Sequence, residues 1–170
     1  MPAETPTAFL DRDGVLNVDH GYVHRIEELT WIDGAAEAVR LLNEAGFRVV
    51  VITNQSGIAR GHYDEDAVAR FHAHMQEFLG SRGARIDAFY VCPHHPEGTV
   101  APYAIDCDCR KPKVGLLEQA ARDRPVDRGR SFVIGDRDGD VEAAMAFGIR
   151  GVKFDWTTQS LLQIVRALIG

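Results

Sequence analysis

Phe9-Leu10-Asp11-Arg12-Asp13-Gly14-Val15 places two carboxylates two residues apart, where the apolar run Ala8-Phe9-Leu10 stops and beside a glycine that can make a sharp turn. The apolar residues read as the end of a buried strand. Ligands in open α/β sheets bind outside the carboxyl ends of the strands, so Asp11 and Asp13 are expected to project into a crevice. A carboxylate there can attack phosphorus and split one difficult displacement into two easier ones, while a second carboxyl exchanges protons with the leaving oxygen and then with water. Two anions facing an anionic phosphate need a cation. A hard divalent ion such as Mg²⁺, bound by one or two carboxylates and by substrate oxygens, supplies it. Taken alone, Asp-x-Asp is equally a solvated turn, and the rest of the chain has to decide.

Outward from this stretch, five β-like segments alternate with helical patterns: Thr7 to Leu10, Arg48 to Thr53, Ile86 to Val91, Ser131 to Gly135 and Gly151 to Phe154. The alternation predicts an α/β fold with a parallel sheet. Helices are expected over Ala35 to Ala45, ending at Gly46, and over Asp64 to Leu79, with Gly80 and Gly83 bracketing the end. Shorter ones are expected at Val114 to Arg122, Asp138 to Phe147 and Thr157 to Leu168. Asn17 to Ile32 and Pro93 to Cys109 stay irregular, and long loops inside a compact domain are commonly functional.

At 170 residues the chain suits one domain, 1–170, with no room for a large cap. Its formal charge of −6 and the lack of a basic run argue against nucleic-acid binding. No apolar stretch is long enough to span a bilayer, and Met1-Pro2-Ala3-Glu4 is unlike a signal peptide, so no membrane partner and a cytoplasmic location are expected. An anionic substrate would then need a local basic pocket.

Three other strand ends carry chemistry. Ile52-Thr53-Asn54-Gln55-Ser56-Gly57 offers a hydroxyl and two amides that can bind phosphate oxygens, or cap a helix. Arg110-Lys111-Pro112-Lys113 supplies cations, a bidentate guanidinium beside a point charge, unless it is only a charged surface run. Gly135-Asp136-Arg137-Asp138-Gly139-Asp140 is a second acidic cluster: Asp136 can complete a metal site, and Asp138 or Asp140 can cap the next helix.

The set Asp11-x-Asp13-Gly14, Thr53-Asn54, Lys111-Pro112 and Gly135-Asp136-x-x-x-Asp140 resembles the four motifs of the haloacid dehalogenase superfamily of phosphatases, over nearly the whole chain. The resemblance implies a Rossmann-like sheet ordered 5-4-1-2-3 with helices on both faces. It also implies Asp11 as nucleophile, Asp13 as general acid/base, and Mg²⁺ held by Asp11, the Asp13 carbonyl and Asp136. Thr53 and Lys111 would steady the transferring phosphoryl group, and the chain would be a monomer.

Cys92-Pro93-His94 and Cys107-Asp108-Cys109 form a Cys-x-His plus Cys-x-Cys set around a 12-residue loop, with His95 as a spare ligand. A closed tetrahedral Cys₃His site matches structural zinc, Zn²⁺ stapling the loop 92–109. The three thiols could otherwise be small apolar fillers. Running directly into Arg110-Lys111, this loop resembles two branches of the superfamily, one acting on D-glycero-D-manno-heptose 1,7-bisphosphate and the other on histidinol phosphate. Its length and Asn54-Gln55-Ser56-Gly57-Ile58-Ala59-Arg60-Gly61 resemble the heptose branch. That implies a phosphorylated sugar partner, a role in lipopolysaccharide or other cell-envelope sugar synthesis, and substrate contacts at Asp19, His20, Gly21, Tyr22, Thr53, Asn54, Gln55, Ser56, Arg110 and Lys111. Arg137, a further expected contact, departs from the Lys found in that branch; charge is kept while reach changes.

Overall fold

Strand β1 (Thr7–Leu10) lies at the centre of a five-stranded sheet and pairs in parallel with β2 (Arg48–Asn54) on one side and β4 (Phe132–Gly135) on the other. β3 (Ala88–Cys92) and β5 (Arg150–Lys153) form the edges, giving the order β3-β2-β1-β4-β5, which is the expected 5-4-1-2-3 order taken from the other edge. The structure, a computed structural model, describes residues 2–170.

The central strands are apolar on both faces, as a parallel sheet covered twice requires. Alternate residues sort by face. Ala8, Leu10, Val49 and Val51 pack with Val39 and Leu42 of α1 (Ala35–Glu44), Phe71, Met75 and Leu79 of α2 (Glu65–Ser81), and Leu161 and Val165 of α5 (Leu161–Ile169). Phe9, Val50, Ile52 and Val133 pack with Leu116, Leu117 and Ala120 of α3 (Gly115–Asp123) and Ala143, Ala144 and Phe147 of α4 (Asp138–Phe147).

Element ends follow local chemistry. Asp64 caps α2 by accepting from the Ala67 amide at 2.8 Å. α1 stops where Gly46 enters the left-handed region, φ 83°, as expected for a C-terminal glycine. Three boundaries differ from the sequence reading by two or more residues, and the other differences are of one residue. β3 begins at Ala88 because the Gln76 side chain takes both backbone groups of Ile86, at 2.5 and 2.9 Å, that a strand neighbour would use. α5 begins at Leu161, capped by Ser160, because Thr157 and Thr158 are held in a turn by Asp155. α2 runs through Gly80 to Ser81 and does not stop before it. Inside the loop 17–32, Ile26–Glu28 forms a short 3₁₀ turn held by the Arg25–Glu28 ion pair at 2.8 Å. Among the described residues, no helix is long and apolar enough to cross a membrane.

Candidate active site

The carboxyl ends of β1, β2 and β4 converge with the loops 17–32 and 93–109 around one cavity of 390 Å³. Asp11 lies at its floor. Its Oδ1 accepts from the Arg12 amide at 2.9 Å and from Lys111 Nζ at 3.1 Å. Lys111 Nζ spends its other two protons on Asp140 Oδ1 at 2.6 Å and the Ile52 carbonyl at 2.9 Å. Burial holds the Asp11 carboxyl well above the usual range; Lys111 opposes this, and Asp140, Asp13 and Asp136 reinforce it. Burial also works against the Lys111 charge, but Asp11 and Asp140 together outweigh it and raise its pKa.

Asp136 is likewise raised, chiefly by burial, and its buried Oδ1 has no hydrogen-bond partner. Ligand oxygens of Asp11, Asp136 and Asp140 lie within 4.8 Å of one another. An orphaned buried oxygen among crowded carboxylates is the donor set a hard divalent cation takes, so these residues fit the expected metal. Gly14 makes the geometry possible twice over: its φ is 86°, and a side chain there would overlap Asp136.

Asp13 borders the cavity with both oxygens engaged. Arg12 and Asn17 donate to Oδ1, and Gln55 Nε2 donates to Oδ2 at 3.1 Å. Gln55 Nε2 also donates to Thr53 Oγ1 at 2.8 Å, and its Oε1 accepts from the Tyr63 hydroxyl at 2.5 Å. Burial pushes Tyr63 up to about 12, keeping it a donor.

Of the expected contacts, Asp19, Gly21, Tyr22, Asn54, Gln55, Ser56, Arg110, Lys111 and Arg137 line the cavity. Arg137 reaches Asp19 across it at 3.4 Å. Thr53 is buried beneath the lining. The His20 ring pairs with Thr30 at 3.2 Å and is not part of the lining. Both ends of the Asn54 side chain are committed to the Lys111 backbone, at 3.1 and 3.2 Å, so this amide places the lysine. Arg60, Tyr63, His95 and Gly139 also line the cavity; the sequence reading named none of them as a substrate contact, and Tyr63 lay in no motif at all. Asp140 does more than cap α4: one oxygen accepts the Arg137 amide and the other holds Lys111.

Beside the cavity, Cys92, His94, Cys107 and Cys109 bring one ligand atom each to within 4.8 Å of the others, and the sulfur atoms stand 2.9 to 3.5 Å apart as free thiols. Three sulfurs and an imidazole nitrogen around one point fit zinc. His94 joins the cluster, while His95 turns to the cavity and lies near Arg60.

A parallel sheet with paired aspartates after its central strand and a lysine bound to the first of them defines a haloacid dehalogenase-like hydrolase. Residues 8–84 match the family model for haloacid dehalogenase-like hydrolases, and residues 108–154 match a second, HAD-hydrolase-like model. A D-glycero-β-D-manno-heptose-1,7-bisphosphate 7-phosphatase from Rhodopseudomonas palustris is 48% identical, covering 96% of this chain and 94% of the relative. One of the same name from Yersinia pestis is 41% identical over 99% and 97%. Among solved structures, D,D-heptose 1,7-bisphosphate phosphatase from B. bronchiseptica, complexed with magnesium and phosphate, superposes with a TM-score of 0.80 at 29% identity, covering 96% and 98%. The chain belongs to the family of D-glycero-β-D-manno-heptose-1,7-bisphosphate 7-phosphatases.

Proposed function

We propose that this protein is a Mg²⁺-dependent phosphatase that removes the C7 phosphate of D-glycero-D-manno-heptose 1,7-bisphosphate through an aspartyl-phosphate on Asp11. The observation that carries this reading is the pairing of Asp11 with Lys111, at 3.1 Å, on the floor of a cavity that Arg60, Arg110 and Arg137 also line. A bisphosphate needs cationic groups for two phosphates, one at the nucleophile and one at a distance from it. The names of the relatives support the sugar.

In this reading the Asp11 carboxylate attacks phosphorus, the bond from phosphorus to the C7 oxygen breaks, and Asp13 gives its proton to that oxygen. The Asp13 carboxylate then takes a proton from water as the water oxygen attacks the aspartyl-phosphate. Inorganic phosphate leaves, and Asp11 is free again. Lys111 faces the transferring group with its charge, and the Thr53 hydroxyl supports the site from beneath the lining, while Asp19, Gly21, Tyr22, Asn54, Gln55, Ser56, Arg110 and Arg137 surround the sugar and the second phosphate. Asp11, the Asp13 carbonyl and Asp136 would hold Mg²⁺, with Asp140 beside them. When bound, the ion neutralises the charge that otherwise keeps a carboxylate and a phosphate apart. Cys92, His94, Cys107 and Cys109 would hold a structural zinc, since four protein ligands would leave it no open position for chemistry.

The whole chain, 1–170, works in this reading as one catalytic domain, a monomer in the cytosol. Free thiols suit a reducing compartment. Light scattering is expected to give the mass of one chain. The product, a sugar 1-phosphate, is the form suited to nucleotide activation for cell-envelope glycans. The deciding experiment is phosphate release with Mg²⁺ from the heptose bisphosphate and from histidinol phosphate in parallel. At least 100-fold higher kcat/KM for the heptose is expected, a gap of about 2.7 kcal/mol; a preference for histidinol phosphate would overturn the assignment.

A further inference from the structure

Among the described residues, Arg12 is the largest side chain with no solvent exposure, an unusual site for a guanidinium. It extends from the strand end that carries both aspartates into a buried pocket between α2 and the loop 17–32. Nε and Nη2 donate to Asp13 Oδ1 at 3.2 and 3.0 Å. Nη2 also donates to the Val23 carbonyl at 2.7 Å. Nη1 lies 3.4 Å from His72 Nε2 on α2, and the guanidinium covers the Phe71 ring at 4.5 Å. His72 itself is buried and stacked on Phe89, with ring centroids 4.3 Å apart.

The two oxygens of Asp13 are therefore unequal. Oδ1 receives both Arg12 contacts and the Asn17 amide at 2.9 Å, whereas Oδ2 receives only Gln55. Three N–H donors leave Oδ1 no room to carry a proton. We infer that Arg12 is a positioning residue for Asp13: it confines the transferable proton to Oδ2 and, through Val23, ties that orientation to the seating of the loop that carries Asp19 and Tyr22. The inference rests on Asp13 being the acid/base of the proposed reaction. Arg12 touches neither substrate nor metal, and its effect passes entirely through the Asp13 carboxylate. A lysine cannot replace it, because one ammonium cannot reproduce the planar fork that serves Asp13, Val23 and His72 together.

Steady-state kinetics of Arg12→Lys in the full chain test this. The kcat on heptose 1,7-bisphosphate is expected to fall at least about tenfold with KM within about twofold, because the group lost acts in the transition state and not in substrate binding. Arg12→Met is expected to fall further. A kcat for Arg12→Lys within twofold of wild type, or a raised KM with kcat intact, would overturn the inference. Where Arg12→Lys does not fold, His72→Leu keeps Arg12 and removes one of its acceptors: a kcat lowered about fivefold at unchanged KM is expected, and an unchanged kcat would overturn the inference. The ratios are also read with p-nitrophenyl phosphate, whose turnover needs the same base toward water. Wild-type inactivity on the heptose bisphosphate alone would then strike the substrate assignment and leave the Arg12 test standing.

Discussion

Lys111 uses all three ammonium protons on Asp11, Asp140 and the Ile52 carbonyl, so its position is set before any substrate arrives. Preorganised charge of this kind costs no rearrangement during the reaction. Asp11→Asn keeps the shape and the hydrogen-bonding oxygen but loses the nucleophile. Turnover is expected to drop by at least about 10³-fold while the melting temperature stays within a few degrees; activity of pure variant near wild type would remove Asp11 from that role. His72 makes a separate prediction about stability. Burial first, then the Arg12 charge, lowers its pKa to about 3, with Asp13 opposing. In the unfolded chain the ring takes a proton near 6.5, so below that pH the unfolded state binds more protons than the native one. The contribution of neutral His72 is thus complete above pH 6.5 and is lost as pH falls toward 3, by at most about 5 kcal/mol. Urea midpoints of wild type and His72→Gln should converge on acidification; a gap independent of pH would show that His72 does not titrate in this way.

The zinc loop is the element whose contribution separates most cleanly from the chemistry. It has little regular structure, and its tip rests on the segment after β2: the Ala59 carbonyl accepts from the Thr99 and Val100 amides at 2.7 and 2.9 Å, and a side chain at Gly98 would strike that same carbonyl. One end of the loop leads into Arg110 and Lys111, and His95 near its start lines the cavity. Stripping zinc and restoring Mg²⁺ is expected to lower the melting temperature by more than about 5 °C, since about 1 kcal/mol shifts a chain of this size by 2–4 °C. KM should rise more than kcat falls. A zinc-free protein with unchanged melting temperature and kinetics would count against a structural metal. The elements themselves were largely legible, because β strands buried on two faces and helices with one apolar stripe leave different periods in the chain. Gln76 and Asp155 show why the boundaries were not: each takes backbone groups that local pattern would assign to β3 or α5. At the site, Asp11, Asp13 and Asp136 stood just past recognisable strands, and Lys111 in a basic run ahead of α3. The joint hold of Asp140 and Asp11 on Lys111 and the burial of Arg12 arise only when distant segments close, and no spacing in the chain encodes them.

At the scale of the whole molecule, three loops beyond the carboxyl ends of the sheet wall the cavity, and in the proposed function they choose the substrate. Loop 17–32 brings Asp19 and Tyr22, the zinc loop leads into Arg110, and the loop after β4 brings Arg137; these meet only through the fold. Arg110 has a buried Nη1 with no partner, next in sequence to the lysine that grips Asp11. An unpaired guanidinium N–H in that place is suited to a phosphate oxygen from the end of the substrate that does not react. The two anomers of the heptose bisphosphate differ in where C1 directs that phosphate, while their C7 ends are the same. Preference between them must therefore arise at this end of the cavity, and the family relatives carry the β configuration in their names. The β anomer is expected to be favoured by at least about tenfold in kcat/KM, roughly one charge-assisted hydrogen bond. Arg110→Ala should cut kcat/KM for the β anomer by about 10- to 100-fold and bring the two anomers close together. Heptose 7-phosphate, which has no phosphate at C1, should be hydrolysed by the variant at nearly the wild-type rate. Equal losses on the bisphosphate and the monophosphate would place Arg110 at the reacting phosphate instead, beside Lys111.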